Sequence, residues 1–174
     1  MEKYVYKELY HSDNLNLDGI GVYRTAVRAV VIHDSKILLI HSEVNGDYKF
    51  PGGGLEHDEN HEEAIKREII EECGLRIKSV ESLIGTICEY NSAKEESKDF
   101  FKMDSHYYRC TVFDEKFGTL SLDHYEKELK FKPIWINISD AILKNNEIMT
   151  SGNTLILQIS KILHQLIDRI IYYE

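Results

Sequence analysis

Between Gly53 and Leu75 the chain reads GGLEHDENHEEAIKREIIEECGL, and no other stretch limits the fold as sharply. Glu68, Glu71 and Glu72 stand at i, i+3 and i+4, positions that share one face of a helix. Like charges so placed repel and destabilise an isolated helix. Alone, such a run reads as a solvated face. A bound divalent cation is the simplest agent that reverses the penalty, because hard cations take oxygen ligands. The helix also has readable ends. Asn60 with Glu63 forms a capping-box start, and Gly74 is placed to stop it at C′. Ile65, Ile69 and Cys73 give an apolar stripe beside the carboxylate face, with small Ala64 leaving space on the carboxylate side. Pro51-Gly52-Gly53-Gly54 is a strong breaker before it.

The flanks are mostly β in character. Tyr23 to Ile32 and Lys36 to Ile40 read as a hairpin around His33-Asp34-Ser35. Residues 43–48 read as a polar loop. Ile77 to Tyr90 reads as β-structure bent near Gly85, and Met103 to Phe113 as a strand rich in aromatic and β-branched residues. Residues 92–99 read as a charged loop and 114–130 as irregular. Phe131 to Ile138 forms a further strand, with Pro133 marking an edge or bulge. Ser139 is expected to cap a short helix, and a last amphipathic helix is expected from about Thr154.

The 174 residues, 1–174, are expected to form one domain with a sizeable core. A formal net charge of −9 argues against a broad grip on a nucleic acid polymer. It is compatible with a small phosphorylated ligand, since bound cations supply positive charge locally. Cys73, Cys88 and Cys110 lie far apart without a CxxC pair, which removes zinc and thioredoxin-like readings. An odd cysteine count, a polar amino terminus and the lack of an apolar span predict a cytoplasmic protein with no membrane segment.

The spacing of Gly53, Glu59, Arg67-Glu68-Ile69, Glu71-Glu72 and Gly74-Leu75 resembles the full signature box of the Nudix hydrolases. The flanking hairpin, the Pro51-Gly52-Gly53 lead-in and the strand ending in Trp135 resemble the family too. The resemblance implies an α+β fold, an α/β/α sandwich with a central curved mixed sheet. It implies hydrolysis of a diphosphate bond in a nucleoside diphosphate linked to another moiety, or in a nucleoside triphosphate-like substrate, with Mg²⁺ or Mn²⁺. On this resemblance Glu68, Glu71 and Glu72 are metal-binding and base-providing carboxylates, and the Gly52 carbonyl is a backbone ligand. Arg67 and Glu59 brace the box and orient Glu68, the first choice as base. A loop carboxylate is the other choice. Asp123, Glu126 and Glu128 lie upstream of Trp135, and Glu126 or Glu128 is the expected further ligand. The resemblance also implies a homodimer.

A diphosphate resists hydroxide because its own oxygens are negative, and two or more cations remove that resistance. Outside the box, Arg24, Arg28 and Lys49 are the candidates to offset phosphate charge. Tyr90, sixteen positions after Gly74, falls where diadenosine-polyphosphate-cleaving members carry a tyrosine. No proline lies there, which counts against the ADP-ribose-cleaving members. Of Tyr107 and Tyr108, alternation sends one inward. His41, His57 and His61 read as loop or surface residues, and Trp135 as packing. Two rival readings are a nucleotide sensor, which usually has a degraded box, and the isopentenyl diphosphate isomerase branch, which needs a catalytic cysteine.

Overall fold

In the structure, a computed structural model, residues 5–149 are described. Four strands form a mixed sheet in the order β1 (Val5–Tyr10), β6 (Ile77–Asn91), β7 (Phe100–Val112), β2 (Gly21–Val30). The β1–β6 and β2–β7 pairs are parallel and β6–β7 is antiparallel. A second, antiparallel sheet centres on β4 (Lys36–Ser42). It is flanked on one side by β3 (Ile32–His33) and β5 (Tyr48–Lys49), and it also pairs with β8 (Phe131–Asn137). Among the described residues the helices are α1 (His61–Cys73), α2 (His124–Glu128) and α3 (Ile138–Met149), and none is long and apolar enough to cross a membrane.

The layering follows from alternation. On β4, Ile37 and Leu39 enter one core cluster with Ile138 and Ala141 of α3, while Leu38 and Ile40 enter another with Ile65, Ile69 and Cys73 of α1. A strand covered on both faces must be apolar at consecutive positions, which is why KILLI reads as an unbroken run. Each such side chain contributes about 1.5–3 kcal/mol by leaving water. The expected helix–sheet–helix sandwich is therefore present. Ala64 is wholly buried in the α1 cluster, so its small size serves close packing on the sheet and does not open space beside the carboxylates.

Several expectations need correction. The hairpin is short, with Ile32↔Ile37 and His33↔Lys36 as its ladder pairs and one bond beyond them, from the Leu38 N–H to the Val31 carbonyl at 3.0 Å. Its turn is of the kind that suits twisted strands, with Asp34 and Ser35 at φ 47° and 63°. Before Val31 the chain belongs to the other sheet, where β2 runs beside β7. β1, β5 and α2 lie where polar or irregular segments were expected. β7 begins at Phe100, three residues early, and α3 begins at Ile138, which puts Ser139 in its first turn instead of at its cap. The helix expected from about Thr154 lies outside the described residues.

Candidate active site

The glycine loop is annexed by β2. The Ala29 N–H donates to Pro51 O at 2.9 Å, the Val27 N–H to Gly53 O at 2.9 Å, and the Leu55 N–H to Thr25 O at 3.1 Å. Residues 51–55 thus run as an added antiparallel edge, which removes most of the freedom a glycine-rich segment would have. Gly52 has φ 131°, and a Cβ there would sit 2.2 Å from the Val27 carbonyl oxygen. Both facts demand glycine. A Cβ on Gly53 would lie 2.3 Å from Glu68 Oε1, so the bare backbone is what admits that carboxylate.

Helix α1 presents the acids to this loop. Its N-cap is Asn60, whose side chain accepts from the Glu63 N–H while Glu63 accepts from the Asn60 N–H. It stops at Gly74, left-handed at φ 64°. Arg67 holds the interior of the site. Nε and Nη2 donate to the two oxygens of Glu59, each at 2.8 Å, a two-pronged pair of the strong kind. Nη2 also donates to Gly54 O at 3.0 Å, and Nη1 to Glu68 Oε1 at 2.8 Å and Glu71 Oε2 at 3.2 Å. The guanidinium keeps Glu59 below the usual carboxylate range. Burial pushes Glu68 above that range, against the pull of Arg67.

Glu72 is the most constrained acid. It is 1% exposed, and its Oε2 accepts the Gly52 N–H at 2.6 Å. Its Oε1 is buried with no hydrogen-bond partner among the described residues. Burial raises its carboxyl to about 8, with Lys49, the Gly52 N–H and Arg28 pulling it down and Glu126 pushing it up. Burial in turn lowers the Lys49 ammonium, against the pull of Glu72. Lys49 Nζ also lies 3.7 Å from the centre of the Phe131 ring. A buried carboxylate oxygen without a partner costs on the order of 1–3 kcal/mol or more. That cost, the carboxylates of Glu68 and Glu71 on the cleft wall, and the all-oxygen donor set fit a hard divalent cation. Among the described residues no three His, Cys, Asp or Glu side chains already form a ligand cluster. Glu68 and Glu71 point oxygens at Arg67, whereas Glu72 turns to Gly52.

Gly52, Glu68 and Glu71 open on one cleft of about 530 Å³, which Arg24, Arg28, Lys49 and Glu126 also line; Glu72 lies outside the lining, buried against Gly52. Arg28 Nη1 donates to the Gly52 carbonyl. Glu126 sits in the capping box of α2, where its Oε2 accepts the Asp123 N–H at 2.8 Å. Glu128 is outside the cleft lining, 3.5 Å from His124, so of the two loop glutamates only Glu126 faces the site. Tyr90 is outside the lining too. It stacks on Tyr10 with ring centres 4.7 Å apart, and the marker drawn from its position loses its support.

His41 and His61 differ from expectation, whereas His57, Tyr107 and Trp135 lie as expected. His41 lies on β4 stacked on Tyr48, and His61 opens α1 with Nδ1 2.8 Å from the Tyr108 hydroxyl. His57 is exposed. Tyr107 is core, and Trp135 packs on Phe117. The reading missed Leu55, Met103, Ser121 and Tyr125, which line the cleft. Asp123 and Glu126, three apart, were the available signal for the helix that carries Tyr125.

Fold and site define a helix–sheet–helix domain whose acidic helix faces an annexed glycine loop. The NUDIX domain family matches residues 22–155, and the chain belongs to that family. It is 36% identical over 78 residues to a MutT-like protein of Streptomyces ambofaciens, covering 44% of this chain and 50% of that protein. It is 48% identical over 63 residues to an ADP-ribose pyrophosphatase of Methanocaldococcus jannaschii, covering 34% and 37%. The matches thus span half or less of those relatives. The MutT protein of Bacillus halodurans shares the fold, with a TM-score of 0.52 at 20% identity over 76% of this chain and 82% of that one.

Proposed function

We propose that the protein is a metal-dependent pyrophosphohydrolase acting on a nucleoside diphosphate linked to another moiety, or on a nucleoside triphosphate-like substrate. The observation that carries this reading is the buried, unpartnered Oε1 of Glu72 against the glycine loop, which itself lines a cleft with Glu68, Glu71 and three cationic side chains. Glu68, Glu71, Glu72 and the Gly52 carbonyl would hold Mg²⁺ or Mn²⁺, with Glu126 as the further ligand. Such a cation, when bound, neutralises the diphosphate oxygens and makes a water more acidic. Arg28 and Lys49, and Arg24 further along β2, offset the remaining phosphate charge. Glu68 takes the proton of the attacking water as the P–O bond to the leaving phosphate breaks. Arg67 aims that carboxylate by holding its Oε1 and opposes the effect of its burial. The relative named ADP-ribose pyrophosphatase supports nucleoside diphosphate sugars as the first substrates to try.

Purified protein incubated with such substrates should release phosphate-containing products with Mg²⁺ and lose that activity in EDTA. Glu72→Gln should lower kcat by on the order of 100-fold or more, beyond what loss of a supporting partner costs. Full activity of Glu72→Gln would remove Glu72 from the site. The same reading carries a single cytoplasmic domain acting as a homodimer. The free, buried Cys73, Cys88 and Cys110 support a reducing compartment, and light scattering tests the dimer.

A further inference from the structure

One exposed aromatic side chain in the cleft has no part in the chemistry above. Tyr125 is 60% exposed and lines the cleft beside Glu126. Its ring meets buried Phe131 edge to face, with centres 6.1 Å apart, and the Lys49 ammonium lies over that same Phe131 ring. Tyr125 therefore stands one ring away from the cationic end of the cleft. Glu126, the next residue, lines the same cleft as Glu68 and Glu71, so α2 borders the acidic end as well. Leu55 and Met103 add apolar surface to the same cleft.

The segment that carries Tyr125 is docked in place. The Ser121 N–H donates to Glu71 O at 2.8 Å and the Gly118 N–H to Cys73 O at 3.4 Å. These are carbonyls at the end of α1, where a helix leaves acceptors unused. The Asp123–Glu126 capping box then sets the turn on which the ring is mounted. An aromatic residue held this way, exposed and lining a polar cleft, suits a planar ligand group. Aromatic side chains accept every nucleobase, since each base has a π face.

We propose that Tyr125 is the platform for the base of the substrate, which makes the preferred substrates nucleoside-bearing diphosphates and not diphosphate esters without a base. This rests on the cleft being the substrate site. The full chain, Tyr125→Ala and Tyr125→Phe are compared in two assays. In steady-state hydrolysis of ADP-ribose, Tyr125→Ala should raise KM about 10-fold with kcat within about twofold, and Tyr125→Phe should restore KM. The Ki of tripolyphosphate, a base-free competitor, should stay the same in all three proteins. Saturation-transfer NMR with AMP, GMP, CMP and UMP needs no turnover. Base protons should receive saturation from the wild type and from Tyr125→Phe, and lose it in Tyr125→Ala. An unchanged KM, an equal shift in the tripolyphosphate Ki, or base signals that persist in Tyr125→Ala or are missing in wild type would overturn the proposal. Base signals that follow Tyr125 without any hydrolysis would keep the platform and sink the reaction.

Discussion

The two walls of the cleft are built by different rules. The wall of residues 51–75 is determined several times over. Strand-like bonds tie the loop to β2, Gly52 admits no Cβ, a Cβ on Gly53 would displace the Glu68 carboxylate, Arg67 holds three glutamates, and α1 is capped at both ends. The wall of residues 118–128 rests on two bonds to the end of α1, on Leu122 packed against the α1 core and on a five-residue helix with no buried residue. The first wall cannot move its backbone without losing the site. Apart from Leu122 and the capping pair, the second can change its side chains at little cost. On the proposed function most of the chemistry belongs on the first, with Glu126 the one ligand drawn from the second, and selectivity belongs on the second.

This contrast can be broken in three places. The largest effect is expected from Gly52→Ala. A Cβ against the Val27 carbonyl at φ 131° should destabilise the protein by about 3 kcal/mol, read from urea unfolding, and abolish hydrolysis. A variant as stable as the parent would show that the loop is free of β2. Next comes Arg67→Lys. An ammonium cannot reproduce the fork on Glu59 while reaching Glu68, so kcat should fall about 10–100-fold with the circular dichroism spectrum unchanged. Unaltered kcat would mean that the charge alone suffices. The smallest effect is expected from Asp123→Ala. It removes the cap of α2 at a cost of about 1 kcal/mol, and it should raise KM while leaving kcat within a fewfold range. A collapse of kcat would place this wall in the chemistry and erase the distinction.

The same contrast explains what the residues disclosed in advance. Everything about α1 is written locally: Asn60 and Glu63 for its start, Gly74 for its end, and Ile65, Ile69 and Cys73 for its buried side. β1 was invisible because its reason to be a strand is β6, about eighty residues away, to which it pairs in parallel without a turn to announce it. The hairpin was overextended because Tyr23 to Ile32 looks like one strand, although its first eight residues pair with β7. Arg24, Arg28 and Lys49 were chosen for charge, and the fold brings all three to the cleft. Tyr90 was chosen by position and sits on the aromatic face of the other sheet edge, with Tyr10. Tyr125 was passed over because residues 114–130 have too few apolar positions to show a period. Its importance lies in what the tertiary structure sets beside it.

Because the glycine loop is stitched to β2, the strand acts as a ruler. Arg24 and Arg28 are four residues apart on it, about 13 Å of extended chain, and the loop that would hold cations is fastened alongside. Neither end of the scale can slide relative to the other. A molecule that touches both marks must be stretched out, and one that is too short must choose between them.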